Sequence, residues 1–197
     1  MSNDGVNAGR RRFLVAATSV VGAAGAVGVA VPFVGSWFPS AKAKAAGAPV
    51  KVNVSKVEPG QQIVAEWRGQ PAFVLNRTQE MLGGLDKHAA QLADPDSKDS
   101  VQPAYVNPEQ RSIKPELLVL VGLCTHLGCS PVFRPEVAPA DLGPEWVGGY
   151  FCPCHGSRYD LAGRVYKGQP APLNLPVPDY SYESNDVIVI GVAQEKV

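Results

Sequence analysis

The sequence predicts a mainly β protein: a single N-terminal transmembrane helix, a flexible tether, and an antiparallel β domain carrying a small subdomain built on two Cys/His boxes. Three observations lead there. No charged residue occurs from Phe13 to Ala41. The 197 residues include 20 Gly and 18 Pro, and the Val/Ile/Tyr/Trp-rich runs beyond residue 50 are short, which favours strands and loops over a helical bundle. All four cysteines and two of the three histidines fall between Cys124 and His155, in two tight groups. The length suits one globular domain with accessories, at about 100 to 200 residues per domain.

The first element is the anchor. Residues 13–41 are long enough, at about 1.5 Å per residue in a helix, to cross about 30 Å of hydrocarbon. Pro32 is expected to bend the helix or lie near its far end, and Trp37 with Phe38 suits an interfacial aromatic belt. Just before the apolar run stands Arg10-Arg11-Arg12-Phe13-Leu14, a twin-arginine type signal of the route that exports folded proteins. The simpler reading is that the three arginines only orient a signal anchor. Ala41-Lys42-Ala43 has the small-x-small form of a cleavage site, but the run exceeds the 7 to 15 residues typical of a cleaved signal, so retention is expected. Residues 1–12 would then be cytoplasmic, 13–41 the single-pass anchor in a bacterial inner membrane, and 42–49 a tether of small residues that cannot pack a core. The domain of residues 50–197 would sit in the periplasm, where disulfides persist.

Charge narrows the partners. Of 18 basic and 18 acidic residues, Arg10, Arg11, Arg12, Lys42, Lys44 and Asp4 precede position 48. The remainder is mildly acidic and has no Lys/Arg cluster, which argues against a nucleic-acid partner.

Within the domain, strands are expected at Val50–Val54, Ile63–Trp67 and Ala72–Leu75, a helix at Thr78–Leu92 weakened by Gly83-Gly84, and a polar loop at Asp94–Val106. Leu117–Val121 is continuously apolar and fits a buried strand. Tyr180–Glu183 and Val187–Ile190 flank Ser184-Asn185-Asp186 and read as a closing hairpin. The interval from Thr78 to Lys114 carries no recognisable motif, and no internal repeat is evident.

The chemistry lies in Cys124-Thr125-His126-Leu127-Gly128-Cys129 and Cys152-Pro153-Cys154-His155-Gly156-Ser157. Cys-x-His in one loop and Cys-x-x-His in the other supply two thiolates and two imidazoles, the Cys2His2 set of a Rieske 2Fe-2S centre. Cys124 and Cys152 would hold one iron, His126 and His155 the other. A tetrahedral zinc site could use the same atoms but leaves Cys129 and Cys154 without a role. Folding both loops around one centre brings those two cysteines near each other, and in an oxidising compartment they are expected to pair and clamp the loops. Two free thiols are the alternative.

With these boxes the chain resembles the Rieske subunit of the cytochrome bc complex, the ubiquinol to cytochrome c reductase, in its proteobacterial form. The resemblance also rests on the twin-arginine anchor, the small-residue tether, Val57-Glu58-Pro59-Gly60 and the loop Gly168-Gln169-Pro170-Ala171-Pro172. It implies a buried inner iron on Cys124 and Cys152, an exposed outer iron on His126 and His155, a Cys129–Cys154 disulfide, and a cluster-binding part at about 122–172. It further implies that the Ser157 hydroxyl donates to a bridging sulfide and the Tyr159 hydroxyl to the Cys124 sulfur, that the proline-rich loop covers a third side, and that Leu127 shields the cluster and touches quinone. Gln169 stands where many members run directly from Gly to Pro. By themselves, Ser157 and Tyr159 would pass for turn and core residues, and His88 for an ordinary surface residue.

The implied activity is quinol–cytochrome c oxidoreduction by a membrane-embedded, dimeric complex with cytochrome b and cytochrome c-type subunits. His126 and His155 would be the catalytic pair. Two neutral imidazoles in place of two thiolates raise the cluster potential, to about −150 to +300 mV across the class. The second nitrogen of a ligated imidazole exchanges its proton near neutral pH, which links electron to proton. The small Rieske subunit of a periplasmic molybdenum oxidase, such as arsenite oxidase, shares the export signal. A Rieske ferredoxin lacks both the signal and the extra cysteine pair, and a zinc-binding interaction module would belong to another class altogether.

Overall fold

The computed structural model describes Gly5 and residues 7–195; residues 1–4 and 6 of the expected cytoplasmic segment, and residues 196 and 197, lie outside the described residues. The chain divides after Ala45 into two compact units.

The first unit holds α1 (Ala8–Gly35), whose start is capped by the Asn7 side chain accepting the Arg10 N–H at 3.1 Å. The cap matters because Arg10, Arg11 and Arg12 stand in the first turns, where cations oppose the helix dipole. Pro32 falls in the last turn, and the helix ends before Trp37, whose ring packs edge-on against Phe33 at 5.5 Å. The helix thus begins before the uncharged run and stops short of its end. None of its residues is buried, and the mean hydropathy reaches 2.1 over an 18-residue window, so it is long and apolar enough to cross a membrane. The expected tether is not all coil: Ala41–Ala46 forms α2, with Ser40 Oγ accepting the Ala43 N–H at 3.1 Å. Its composition, Ala-Lys-Ala-Lys-Ala-Ala, is helix-favouring, and the turn stops at Gly47.

The second unit is mainly β, in three antiparallel sheets of three strands. The strands are β1 (Val50–Asn53), β2 (Gln62–Trp67), β3 (Gln70–Asn76), β4 (Leu117–Val121), β5 (Val132–Arg134), β6 (Gly149–Phe151), β7 (Arg158–Tyr159), β8 (Tyr180–Ser184) and β9 (Val187–Ile190). The sheet orders are β1-β9-β8, β2-β3-β4 and β5-β6-β7. Leu118, Val119 and Leu120 are fully buried, as a continuous apolar run requires of a strand covered on both faces. A two-residue turn joins β2 to β3, and both its residues, Arg68 and Gly69, have positive φ, the geometry whose twist matches a hairpin.

The expected helix from Thr78 to Leu92 is broken. An α-turn, α3 (Gln79–Gly84), capped by Thr78 Oγ1, gives way after Gly83-Gly84 to a 3-10 helix over Asp86–Gln91. The stretch up to Lys114 is then organised by buried polar groups rather than by apolar periodicity. Arg77, only 1% exposed, donates to Pro115 O at 2.9 Å, Gln110 O at 2.9 Å and Ser112 Oγ at 2.7 Å. Arg111 donates to Ala162 O at 3.2 Å, Gly163 O at 3.3 Å and Gln102 Oε1 at 3.0 Å. Arg164 forms a buried ion pair with Asp160 at 2.8 Å and donates to Leu85 O at 2.8 Å. Burial lowers both Arg77 and Arg111 to about 10, which leaves them charged at neutral pH. These guanidiniums satisfy carbonyls that a segment without regular ladders would otherwise leave unpaired inside the protein.

Candidate metal centre

The third sheet carries the two boxes. One loop, Cys124–Cys129, leads towards β5; the other, Cys152–Ser157, joins β6 to β7. Their backbones repeat the same pair of hydrogen bonds. In the first, Cys124 N–H donates to Cys129 O at 2.8 Å and Gly128 N–H to Cys124 O at 2.9 Å; in the second, Cys152 N–H donates to Ser157 O at 2.8 Å and Gly156 N–H to Cys152 O at 2.9 Å. Gly128 and Gly156 both have φ +80°, a conformation that a side chain would strain. This equivalence, cysteine to glycine over five residues in each loop, is a local repeat that the sequence reading missed. Its only sequence trace is the matched Cys-to-Gly spacing.

The paired loops bring the predicted side chains together. Cys129 and Cys154 form a disulfide with Cα atoms 6.6 Å apart, while Cys124 and Cys152 are buried free thiols. The rings of His126 and His155 lie 4.6 Å apart, nearly perpendicular. His126 Nδ1 is buried with no hydrogen-bond partner, and His155 is exposed. A buried imidazole nitrogen without a partner is costly unless it ligates a metal, so the donor set of two thiols and two imidazoles fits a Cys2His2 cluster. The sulfurs of Cys129, Cys152 and Cys154 also lie within 4.8 Å of one another, but two of them are consumed by the disulfide, which removes them as ligands. Leu127 is 71% exposed at the tip of the first loop, beside His126.

A buried hydroxyl lies against the Cys124 sulfur. The Tyr159 hydroxyl lies 3.1 Å from Cys124 Sγ and accepts the Thr125 N–H at 3.3 Å. Burial pushes the Cys124 thiol up, but Tyr159, the N–H of His126 and the Cys152 and Ser157 side chains favour the thiolate and leave it below its ordinary value. Cys152 moves the other way, through burial and the adjacent Cys124 charge. Burial and the same charge raise Tyr159 well above the usual tyrosine range, so it stays protonated and able to donate.

The proline-rich loop is fastened at three points. Gln169 Oε1 accepts the Arg158 N–H at 3.1 Å, Ala171 N–H donates to Ser157 Oγ at 3.1 Å, and Thr125 Oγ1 donates to Leu173 O at 2.6 Å. Its base is held by Asn174, which no motif had indicated. Asn174 Nδ2 donates to Asp94 O at 2.9 Å and Ser97 Oγ at 3.1 Å, and its N–H donates to Ser100 Oγ at 3.1 Å. The Asp94 carboxylate in turn accepts N–H groups of Lys98, Asp99 and Ser100 and the Ser100 hydroxyl. Part of the interval without a motif is therefore the footing of the loop beside the centre. His88 is partly buried and lies away from these contacts.

Comparison with known proteins agrees with this geometry. Residues 49–180 match the family model described as Rieske [2Fe-2S] domain, and residues 1–40 match one described as ubiquitinol-cytochrome C reductase Fe-S subunit TAT signal. The chain is 56% identical over 191 residues to the ubiquinol-cytochrome c reductase iron-sulfur subunit of Allochromatium vinosum, covering 97% of this chain and 92% of that one. It is 43% identical to the subunit of the same name from Blastochloris viridis, covering 96% and 97%, and 41% identical to that from Rhodospirillum rubrum, covering 96% of each. An apolar N-terminal helix, a mainly β domain, two loops joined by a disulfide that each carry a free thiol and an imidazole, and relatives matched over nearly their whole length place this chain in the family of Rieske 2Fe-2S subunits of ubiquinol-cytochrome c reductase.

Proposed function

We propose that this subunit oxidises quinol one electron at a time and passes each electron to a cytochrome c-type heme of the same complex, with release of the quinol protons. The observation that carries this reading is the pairing of His126 and His155 at 4.6 Å, on the same two loops that hold the buried thiols of Cys124 and Cys152. In this assignment Cys124 and Cys152 hold one iron and His126 and His155 the other, while Ser157 and Tyr159 donate hydroxyl hydrogen bonds to the sulfur side. When bound, the cluster supplies a one-electron couple of raised potential. The remaining tasks fall to the protein. His155, exposed at the surface, and His126 offer imidazoles to a quinol hydroxyl and take up its proton. Leu127 presents an apolar side chain next to them, suited to a quinone ring. The disulfide holds the two ligand loops together whatever the oxidation state of the metal.

Residues 13–41 would anchor the chain in the bacterial inner membrane, residues 1–12 remaining cytoplasmic and residues 50–197 facing the periplasm, with 42–49 as the tether. Cytochrome b and the cytochrome c-type subunit, in a dimeric complex, would be its partners; its relatives are named as iron-sulfur subunits of a ubiquinol-cytochrome c reductase. The test is purification of the tagged full chain from membranes, with heme spectra of what accompanies it and electron paramagnetic resonance after reduction. Alanine at Cys124, His126, Cys152 or His155 is expected to abolish the normal Rieske signal. An unchanged signal in any one variant would remove that residue from the ligand set, and the absence of heme proteins would remove the assembly.

A further inference from the structure

Gln169, which separates Gly168 from Pro170 in the proline-rich loop, has a structural use. β7 is an edge strand, and its Arg158 N–H donates not to another strand but to Gln169 Oε1 at 3.1 Å, while Arg158 O accepts the Tyr166 N–H at 3.2 Å. The carboxamide thus stands in for a backbone carbonyl at the edge of β7. Arg158 lies between Ser157 and Tyr159, the two hydroxyl-bearing residues of the centre. Two residues beyond Gln169, Ala171 N–H donates to Ser157 Oγ at 3.1 Å. A hydroxyl oxygen that accepts this amide keeps its own proton for another acceptor. Between the two fastenings lies Pro170, whose ring fixes φ near about −65°, so the carboxamide anchor and the Ala171 amide are stiffly connected.

We propose that Gln169 is a positioning residue: by anchoring the proline-rich loop to Arg158 it holds the Ala171 amide on Ser157, and so keeps the Ser157 hydroxyl aimed at the sulfur side of the centre. This rests on the assignment of Ser157 as a hydroxyl donor. The test is a double-mutant cycle in the full-length assembled protein, with Gln169→Leu, Ser157→Ala and the pair, read as midpoint potential in a redox titration followed by electron paramagnetic resonance. Amide hydrogen exchange at Arg158 and Ala171 gives a second readout that does not depend on turnover. Gln169→Leu is expected to lower the midpoint by less than Ser157→Ala, to speed exchange at both amides, and to add nothing in the Ser157→Ala background. Gln169→Glu, which keeps an acceptor oxygen, is expected to restore protection at Arg158. A wild-type midpoint in Gln169→Leu, unchanged exchange at Ala171, or a shift that adds in full to that of Ser157→Ala overturns the proposal while leaving Ser157 as a donor. A wild-type midpoint in Ser157→Ala overturns both.

Discussion

Replacing Tyr159 by Phe removes one oxygen from a fully buried side chain and leaves its ring and its pairing with Tyr150 in place. That oxygen lies 3.1 Å from Cys124 Sγ. A hydrogen bond to a charged acceptor contributes about 1.5 to 3 kcal/mol. Only the difference between oxidation states shifts a potential, and the negative charge on sulfur is greater after reduction. Taking about half of the upper figure, roughly 1.4 kcal/mol, as the preference lost by the reduced state gives a drop of about 60 mV for a one-electron couple. The accompanying loss is local: the Thr125 N–H forfeits its 3.3 Å partner, while Thr125 Oγ1 keeps Leu173 O at 2.6 Å and so keeps the proline-rich loop attached. Cluster content is therefore expected to stay at the wild-type level while the midpoint falls and quinol oxidation slows. A redox titration of purified Tyr159→Phe, normalised to iron content, measures this. A midpoint equal to or above wild type at full cluster content refutes the donor role of Tyr159.

Three further outcomes follow. Changing Cys129 and Cys154 together to Ser opens a loop with a sequence separation of 25, for which chain entropy predicts a loss of about 3.5 kcal/mol. Lower thermal stability and faster cluster loss are expected, and an unaltered cluster lifetime would contradict the clamp. At Asp94, burial pushes the carboxyl up, but the Ser100 hydroxyl and the N–H groups of Lys98, Asp99 and Ser100 outweigh it and hold the carboxyl below 3.8. Because its folded value is depressed, the stability it contributes is present above pH 3.8 and is lost as pH falls through the lower folded value. Asp94→Asn should therefore flatten the acid limb of the melting-temperature profile; an acid limb as steep as wild type would assign that sensitivity elsewhere. Several prolines across residues 43–48, which break the α2 turn and stiffen the tether, are expected to cut steady-state turnover without changing midpoint or cluster content. The nine residues Lys42 to Val50 reach about 13 Å as helix and about 30 Å extended, so coil-helix change alone supplies over ten ångströms of travel. Wild-type turnover in an assembled, stiffened complex would make the tether a passive spacer.

Some features could be read along the chain because their cause is local. An uncharged run from Phe13 to Ala41, the apolar Leu117–Val121 and the turn signal Ser184-Asn185-Asp186, whose Ser184 ends the strand, each point to their own structure, since solvent preference and turn chemistry act over a few neighbours. The two boxes point to a metal centre for a similar reason: the ligands that each loop offers to one cluster crowd at short spacings within that loop. The third sheet could not be read in this way. Its strands, of three, three and two residues, are too short to show any alternation, and they exist because the two ligand loops are folded back to back. Nor could the roles of Arg77, Arg111 and Arg164, which composition places on the surface and the fold buries among carbonyls from segments 33 to 84 residues away. Tyr159 beside Cys124, Thr125 against Leu173 and Asn174 against Asp94 likewise join residues 35, 48 and 80 positions apart. Sequence alone determined that two thiol-imidazole boxes of one Rieske domain are present, because ligand chemistry belongs to the residue. Tertiary structure decided what surrounds those boxes, because hydrogen bonds between distant segments depend on the path of the whole chain.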